Sequence, residues 1–180
     1  MGLKRVPPTS APIRLRPVSD QDLGPLYRIA SERPEEWARV CHRGVPSPAQ
    51  FGDRLWAGVL AQFIIELSDG VYEPVGLVSL HSADFANRTA WLELVSFGPG
   101  NQDGAYASGL LLLTRYAARS WDFRKLYFET LEFQGSPLIG VPGVEKEAHF
   151  REFYYHDGRY WDRMIWAIDN SKFEPESLIS

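Results

Sequence analysis

The chain has 180 residues, 44% of them hydrophobic and 23% charged, which suits one folded domain with a substantial core rather than a disordered or two-domain chain. A formal net charge of −4 leaves no basic excess to displace counterions, which argues against nucleic-acid binding. Cys41 is the single cysteine, so no internal disulfide can form and a reducing, cytoplasmic setting is expected.

From the N-terminus, Met1–Ala11 lacks the apolar run of a secretory signal and reads as a flexible end, as does 171–180. One domain is expected between, over 12–170. No apolar run approaches the length of a membrane span, so no membrane partner is expected. "IRLRPVS" alternates and predicts an edge strand. Residues 19–31 predict a helix, with Ser19 or Asp20 as N-cap and Leu23, Leu26, Tyr27 and Ala30 at helical spacing. The Pro-interrupted, charged segment that follows predicts a loop with at most one helical turn. Ser47 and Pro48 then mark the start of a second helix, expected to run through Gln62.

Strands are expected at "FIIEL" and "VGLVSLHSAD", joined across an Asp-Gly turn, and again at "TAWLELVSF". "SGLLLLTRYAARSW" predicts a helix, "KLYFETLEF" a strand, and the Pro- and Gly-containing "QGSPLIGVPG" an irregular segment. "HFREFYYHDGRYWDRMIWAID" is two alternating runs about Asp157-Gly158, a hairpin. The order predicts a mixed α/β domain with a strand–loop–helix–strand crossover from Trp91 to Phe133.

Inside that crossover lies "FGPGNQDGAYASG", Phe97 to Gly109, with four Gly and no Lys or Arg. A Gly-rich loop entering a helix can offer unpaired backbone N–H groups to an anion, or it can be an ordinary turn. From Gln102 it reads Gln-Asp-Gly-Ala-Tyr-Ala, which resembles the Q/R-x-x-G-x-G/A signature of the GNAT superfamily of acyl-CoA-dependent N-acyltransferases. The similarity is strongest to the ribosomal-protein-alanine acetyltransferase branch. The run from Val75 to Pro99 and the closing hairpin fall in that branch's order, and the likeness covers Ile13 to Asp169.

The resemblance implies a GNAT-like fold, a central twisted mixed β-sheet flanked by helices and closed by a hairpin. It implies acetyl-CoA or another acyl-CoA as co-substrate, with a small-molecule or peptide amine as acceptor. Carried over residue by residue, the backbone of Val95, Ser96 and Phe97 would meet the pantetheine arm. The pyrophosphate would sit on Gln102, Asp103, Gly104, Ala105, Tyr106, Ala107 and Ser108, with Ala107 and Ser108 starting the helix. The signature's first Gly is Ala105 here, which would put a methyl group at the closest approach, and Asp103 adds a carboxylate beside a polyanion.

Acyl transfer to an amine needs a group to remove the ammonium proton and a proton for the leaving thiolate. Glu93 shares one strand face with Trp91, Val95 and Phe97 and is the candidate base; a solvated or salt-bridged strand carboxylate is the other reading. Many relatives supply a Tyr to the thiolate. "QGSPLIGVPGVEKE" has none, which leaves Ser136 as the nearby hydroxyl, with Gln134 where relatives often carry Asn. His149 and His156 stand an odd number of positions apart on one strand, so no metal pair is expected. His81 reads as a hydrogen-bonded structural residue, and Cys41 as a buried or loop thiol. A non-catalytic GNAT-like ligand-binding or interaction domain and a GNAT-fold enzyme with other acyl-CoA chemistry remain as alternative functions. The aromatic hairpin could also serve a homodimer.

Overall fold

In the computed structural model, which describes residues 11–172 apart from 35, 42, 43, 69, 99–102, 134–137 and 140, one seven-stranded sheet runs through the molecule. The elements in chain order are β1 (Ile13–Pro17), α1 (Leu23–Glu32), α2 (Ala38–Cys41), α3 (Pro48–Trp56), β2 (Val59–Ser68), β3 (Tyr72–Asp84) and β4 (Thr89–Ser96). Then come α4 (Asp103–Ser120), β5 (Lys125–Leu131), β6 (Val144–His156) and β7 (Arg159–Asp169). The strands lie in the order β1-β2-β3-β4-β5-β7-β6. Every neighbouring pair is antiparallel except β4 and β5, which the α4 crossover makes parallel. No helix among the described residues is long and apolar enough to cross a membrane.

Local chemistry accounts for several boundaries. Ser47 caps α3 in a reciprocal box with Gln50, and Pro48 occupies the first turn, where its missing N–H costs nothing. The helix stops at Trp56, short of the expected Gln62, because Gly58 takes φ +67° and turns the chain into β2. The expected first helix is divided: Asp20–Asp22 form a 3-10 turn and α1 proper begins at Leu23. The closing hairpin starts at Val144, before the expected His149, and turns at Asp157 and Gly158, both at positive φ.

The sheet is covered on both faces. On one, α4 packs through Leu110, Leu111 and Leu113 against Ile65, Val78, Leu80, Leu92 and Leu126. Leu138, Ile139 and Val141 join this cluster. A Cβ on Gly109 would stand 2.4 Å from Ile65 Cδ1, so glycine lets the helix approach β2 this closely. The other face carries α1–α3 through Leu26, Trp37, Phe51 and Leu55, packed on Ile64, Leu77 and Val95. At the β1 edge the buried carboxylate of Glu66 is held by Arg14 at 2.6 Å and Arg16 at 2.7 Å, and Arg16 also binds Asp22 at 2.8 Å. Two guanidiniums outweigh the burial that would push the Glu66 carboxyl up and hold it below its usual range.

Candidate active site at the parting of β4 and β5

The parallel strands β4 and β5 stay paired only through Thr89↔Lys125, Ala90↔Leu126 and Trp91↔Tyr127. Beyond Trp91, β4 continues to Ser96 against β3, while β5 continues to Leu131 against β7. The sheet therefore opens as a V at its one parallel junction, at the carboxyl ends of both strands. Crevices at such switch points are where open α/β sheets bind ligands. The Phe97 N–H donates to Val75 O at 3.0 Å, so strand alternation turns the backbone groups of Leu94 and Ser96 toward the opening. There they have no ladder partner from β5.

Side chains of β4 alternate between the two cores. Ala90 and Leu92 enter the α4 side, whereas Val95 and Phe97 lie on the α1–α3 side. Glu93 belongs to the second set and forms a row with Ser79 of β3 and Gln62 of β2. Arg39 of α2 donates through Nε to Glu93 Oε2 at 2.7 Å, and Ser79 Oγ donates to the same oxygen at 3.0 Å. Both bonds fall on Oε2, leaving Oε1 without a partner among the described residues. Gln62 is 3% exposed, and neither its amide oxygen nor its amide nitrogen has a partner among the described residues. An unpaired buried amide is costly.

His81 lies one pair further toward the vertex, opposite Trp91, with Nδ1 3.0 Å from Ser82 Oγ. Burial pushes its imidazole below the ordinary value; the Glu93 carboxylate opposes that shift and Arg39 reinforces it. At the vertex, the rings of Trp91 and Tyr127 lie 5.4 Å apart and form an aromatic floor. Across the opening from Glu93, Glu129 of β5 is bound by Arg163 of β7.

The wide end of the V is bridged from the α1–α2 connection. Arg33 Nη2 donates to Ser96 O at 2.9 Å, Arg33 Nη1 to Glu36 Oε1 at 2.9 Å, and Ser96 Oγ to Glu36 Oε2 at 3.1 Å. Because Ser96 O turns toward the opening, the guanidinium stands in it. Of the expected pantetheine-facing residues, Val95 is buried among the α1–α3 contacts, while Ser96 and Phe97 are half-buried. Phe97 also borders a cleft of about 500 Å³ along α1, with Leu26, Ile29, Glu32, Ile64 and Pro74.

The loop after β4 feeds α4, which begins at Asp103 and not at Ser108 as expected. The helix therefore leaves without an i→i−4 partner the amides of 103–105, while the N–H groups of Ala107 and Ser108 enter the ladder. The early start has a tertiary cause: Ala105 and Tyr106 are buried in the α4-side cluster. The Ala105 methyl accordingly faces the core. Gln102, Gln134 and Ser136 lie outside the described residues, as does the side chain of Asp103.

The remaining candidates are dispersed. His149 binds Asp162 at 2.6 Å, whereas His156 stacks on Phe133 with centroids 5.0 Å apart. Among the described residues no group of His, Cys, Asp or Glu is placed to hold a metal ion. Cys41 is buried, which pushes its thiol up and away from the reactive thiolate. Arg33, Arg39, Arg163, Ser79 and Gln62 were not legible as site residues. In sequence they are isolated polar positions, and only the sheet register and the α2 contact bring them together.

No protein-family model matches the chain, and no curated protein sequence does. Among solved structures it is similar to spermidine N-acetyltransferase from Vibrio cholerae in complex with CoA and spermine, at TM-score 0.67 and 18% identity, over 89% of this chain and 96% of that one. It is similar to a GNAT-family acetyltransferase from Bacillus anthracis at TM-score 0.67 and 15% identity, over 91% of this chain and 98% of that one. A probable GNAT-family acetyltransferase from Chromobacterium violaceum gives TM-score 0.64 and 14% identity, over 91% and 85% of the two chains. With the sheet parted at its parallel junction and α4 entering beside the opening, the chain has the fold of the GNAT acetyltransferases.

Proposed function

We propose that the protein is an acyl-CoA-dependent N-acyltransferase that moves an acetyl group from acetyl-CoA to a primary amine of a small molecule or a protein N-terminus. The observation that carries this reading is the parting of β4 from β5 after Trp91↔Tyr127. It leaves the backbone groups of Leu94 and the Ser96 N–H facing a crevice with the first amides of α4 at its end, the Ser96 carbonyl being held by Arg33. An extended pantetheine chain needs backbone partners of this kind, and a pyrophosphate needs a helix N-terminus. The placement of a donor there, the signature residues from Gln102 to Ser108, and the kinship to the ribosomal-protein-alanine branch are parts of the same proposal.

Glu93 is assigned the proton of the acceptor ammonium. Its Oε2 is anchored by Arg39 and Ser79, so its Oε1 is oriented and open to an amine or to an intervening water. Ser136 is assigned as proton source for the thiolate, with Gln134 as a donor contact.

The test is a thermal-shift titration with acetyl-CoA, free CoA and longer acyl-CoAs, followed by thiol release in the presence of amines. A concentration-dependent rise in melting temperature with acetyl-CoA, and amine-dependent thiol release, are expected. No shift with any thioester at millimolar concentration would sink the proposal. A shift without turnover on any amine would favour a ligand-binding domain instead.

A further inference from the structure

Resting on the acyltransfer reading, we infer that the acceptor is a primary amine carrying its own carboxylate, an amino acid in the simplest case, and not a polyamine. The argument is one of charge placement. Trp91 and Tyr127 are the last paired residues of β4 and β5, so Glu93 and Glu129 are the next positions on the same face of each strand. Both carboxylates therefore front the V over the aromatic floor, and each has its own guanidinium: Arg39 on Glu93 and Arg163 on Glu129. At the wide end Arg33 is paired with Glu36 in the same way.

Each acidic group named at the opening is thus matched by a fixed cation. A polyamine brings several positive charges, and beyond the ammonium at Glu93 each would meet a carboxylate that already has a guanidinium partner. Among the described residues named there, no excess of negative charge is left to hold it. A zwitterion meets the same arrangement favourably. Its ammonium goes to Glu93 Oε1, and its carboxylate goes to Arg163. That guanidinium is fixed by Glu129 and by the Phe153 ring 5.0 Å away. Donors held in this manner recognise a planar carboxylate. The Trp91 and Tyr127 rings would take an apolar side chain of the acceptor.

The experiment measures kcat/KM by thiol release from acetyl-CoA with three acceptor sets: free amino acids, their methyl esters, and spermidine. Free amino acids are expected to exceed both the esters and spermidine by at least about tenfold. In Arg163→Gln the ratio of acid to ester is expected to fall toward one. Equal rates for acids and esters, or a preference for spermidine, would overturn the inference while leaving acyl transfer intact. An unchanged acid-to-ester ratio in Arg163→Gln would overturn the assignment of the carboxylate to Arg163. Absence of turnover with every set overturns the inference as well, and the acetyl-CoA thermal shift then reports separately whether donor binding stands.

Discussion

Arg39 Nε lies 2.7 Å from Glu93 Oε2, tying a four-residue helix to the strand at which the sheet opens. With side chains only 15% and 19% exposed, the two charges are largely screened from water, so the pair fixes the carboxylate more firmly than a surface bridge does. In Glu93→Gln, turnover is expected to fall by about 10²–10⁴-fold, the range for losing a general base. The acetyl-CoA thermal shift should remain. Arg39→Met should cost about 1–3 kcal/mol in urea unfolding, because it leaves a half-buried carboxylate with one hydroxyl donor. An unaltered rate in Glu93→Gln would remove it from the mechanism.

His81 provides an independent report on the same cluster. Burial lowers its folded value below the unfolded value of about 6.5, so the neutral ring is favoured by folding. The contribution to stability is then complete above that pH and is lost as the pH falls through the folded value. An NMR titration of the imidazole should show a midpoint below 6.5. In Glu93→Gln the midpoint should drop further, since the carboxylate favours imidazolium; a rise would mean that Glu93 does not face the ring.

The position of α4 rests on two small residues with different roles. Gly109→Ala would place Cβ 2.4 Å from Ile65 Cδ1 and 2.8 Å from Cγ1, and should cost about 1–3 kcal/mol as overpacking. Ile65→Val in the same chain removes the nearer atom and should recover part of the loss, a coupling that denaturant unfolding of the four-member cycle would detect.

Ala105→Gly should cost about 1 kcal/mol in helix propensity and leave CoA affinity unchanged, because its methyl points into the core. Tighter CoA binding in isothermal titration would show that the methyl meets the ligand after all.

Acid should weaken the β1 edge. The Arg16 guanidinium holds the Asp22 carboxyl far below its usual range, helped by the Ser19 backbone and hydroxyl and opposed by burial. A depressed folded value means stability that is full above the unfolded value of about 3.9 and is lost as the pH falls below it. Urea midpoints compared between pH 5 and pH 3, values set at about one unit on either side of that point, should fall less in Asp22→Asn than in the wild type. Equal slopes would show that the Arg16–Asp22 pair does not contribute.

Much of the architecture is legible locally. Ser47–Pro48 announces α3, Asp157-Gly158 announces the final hairpin, and the alternation in Thr89–Ser96 announces β4, because each signal depends on residues within a turn or two. Two boundaries differ from expectation, one through a local turn and one through distant packing. Gly58 ended α3 early, and the core contacts of Ala105 and Tyr106 drew the start of α4 back to Asp103.

Strand alternation also placed Glu93 correctly beside Val95 and Phe97 on one face. What stands over that carboxylate came from elsewhere in the chain. Arg39 is 54 positions from Glu93, Arg33 is 63 from Ser96, and Arg163 is 34 from Glu129. The order of elements and the faces of the strands follow from short-range sterics and periodicity. The tertiary structure alone decided that β4 and β5 part after Trp91 and Tyr127 and that each carboxylate at the opening is matched by an arginine. Strand pairing and charge pairing are settled by which distant surfaces meet, and no local pattern encodes that.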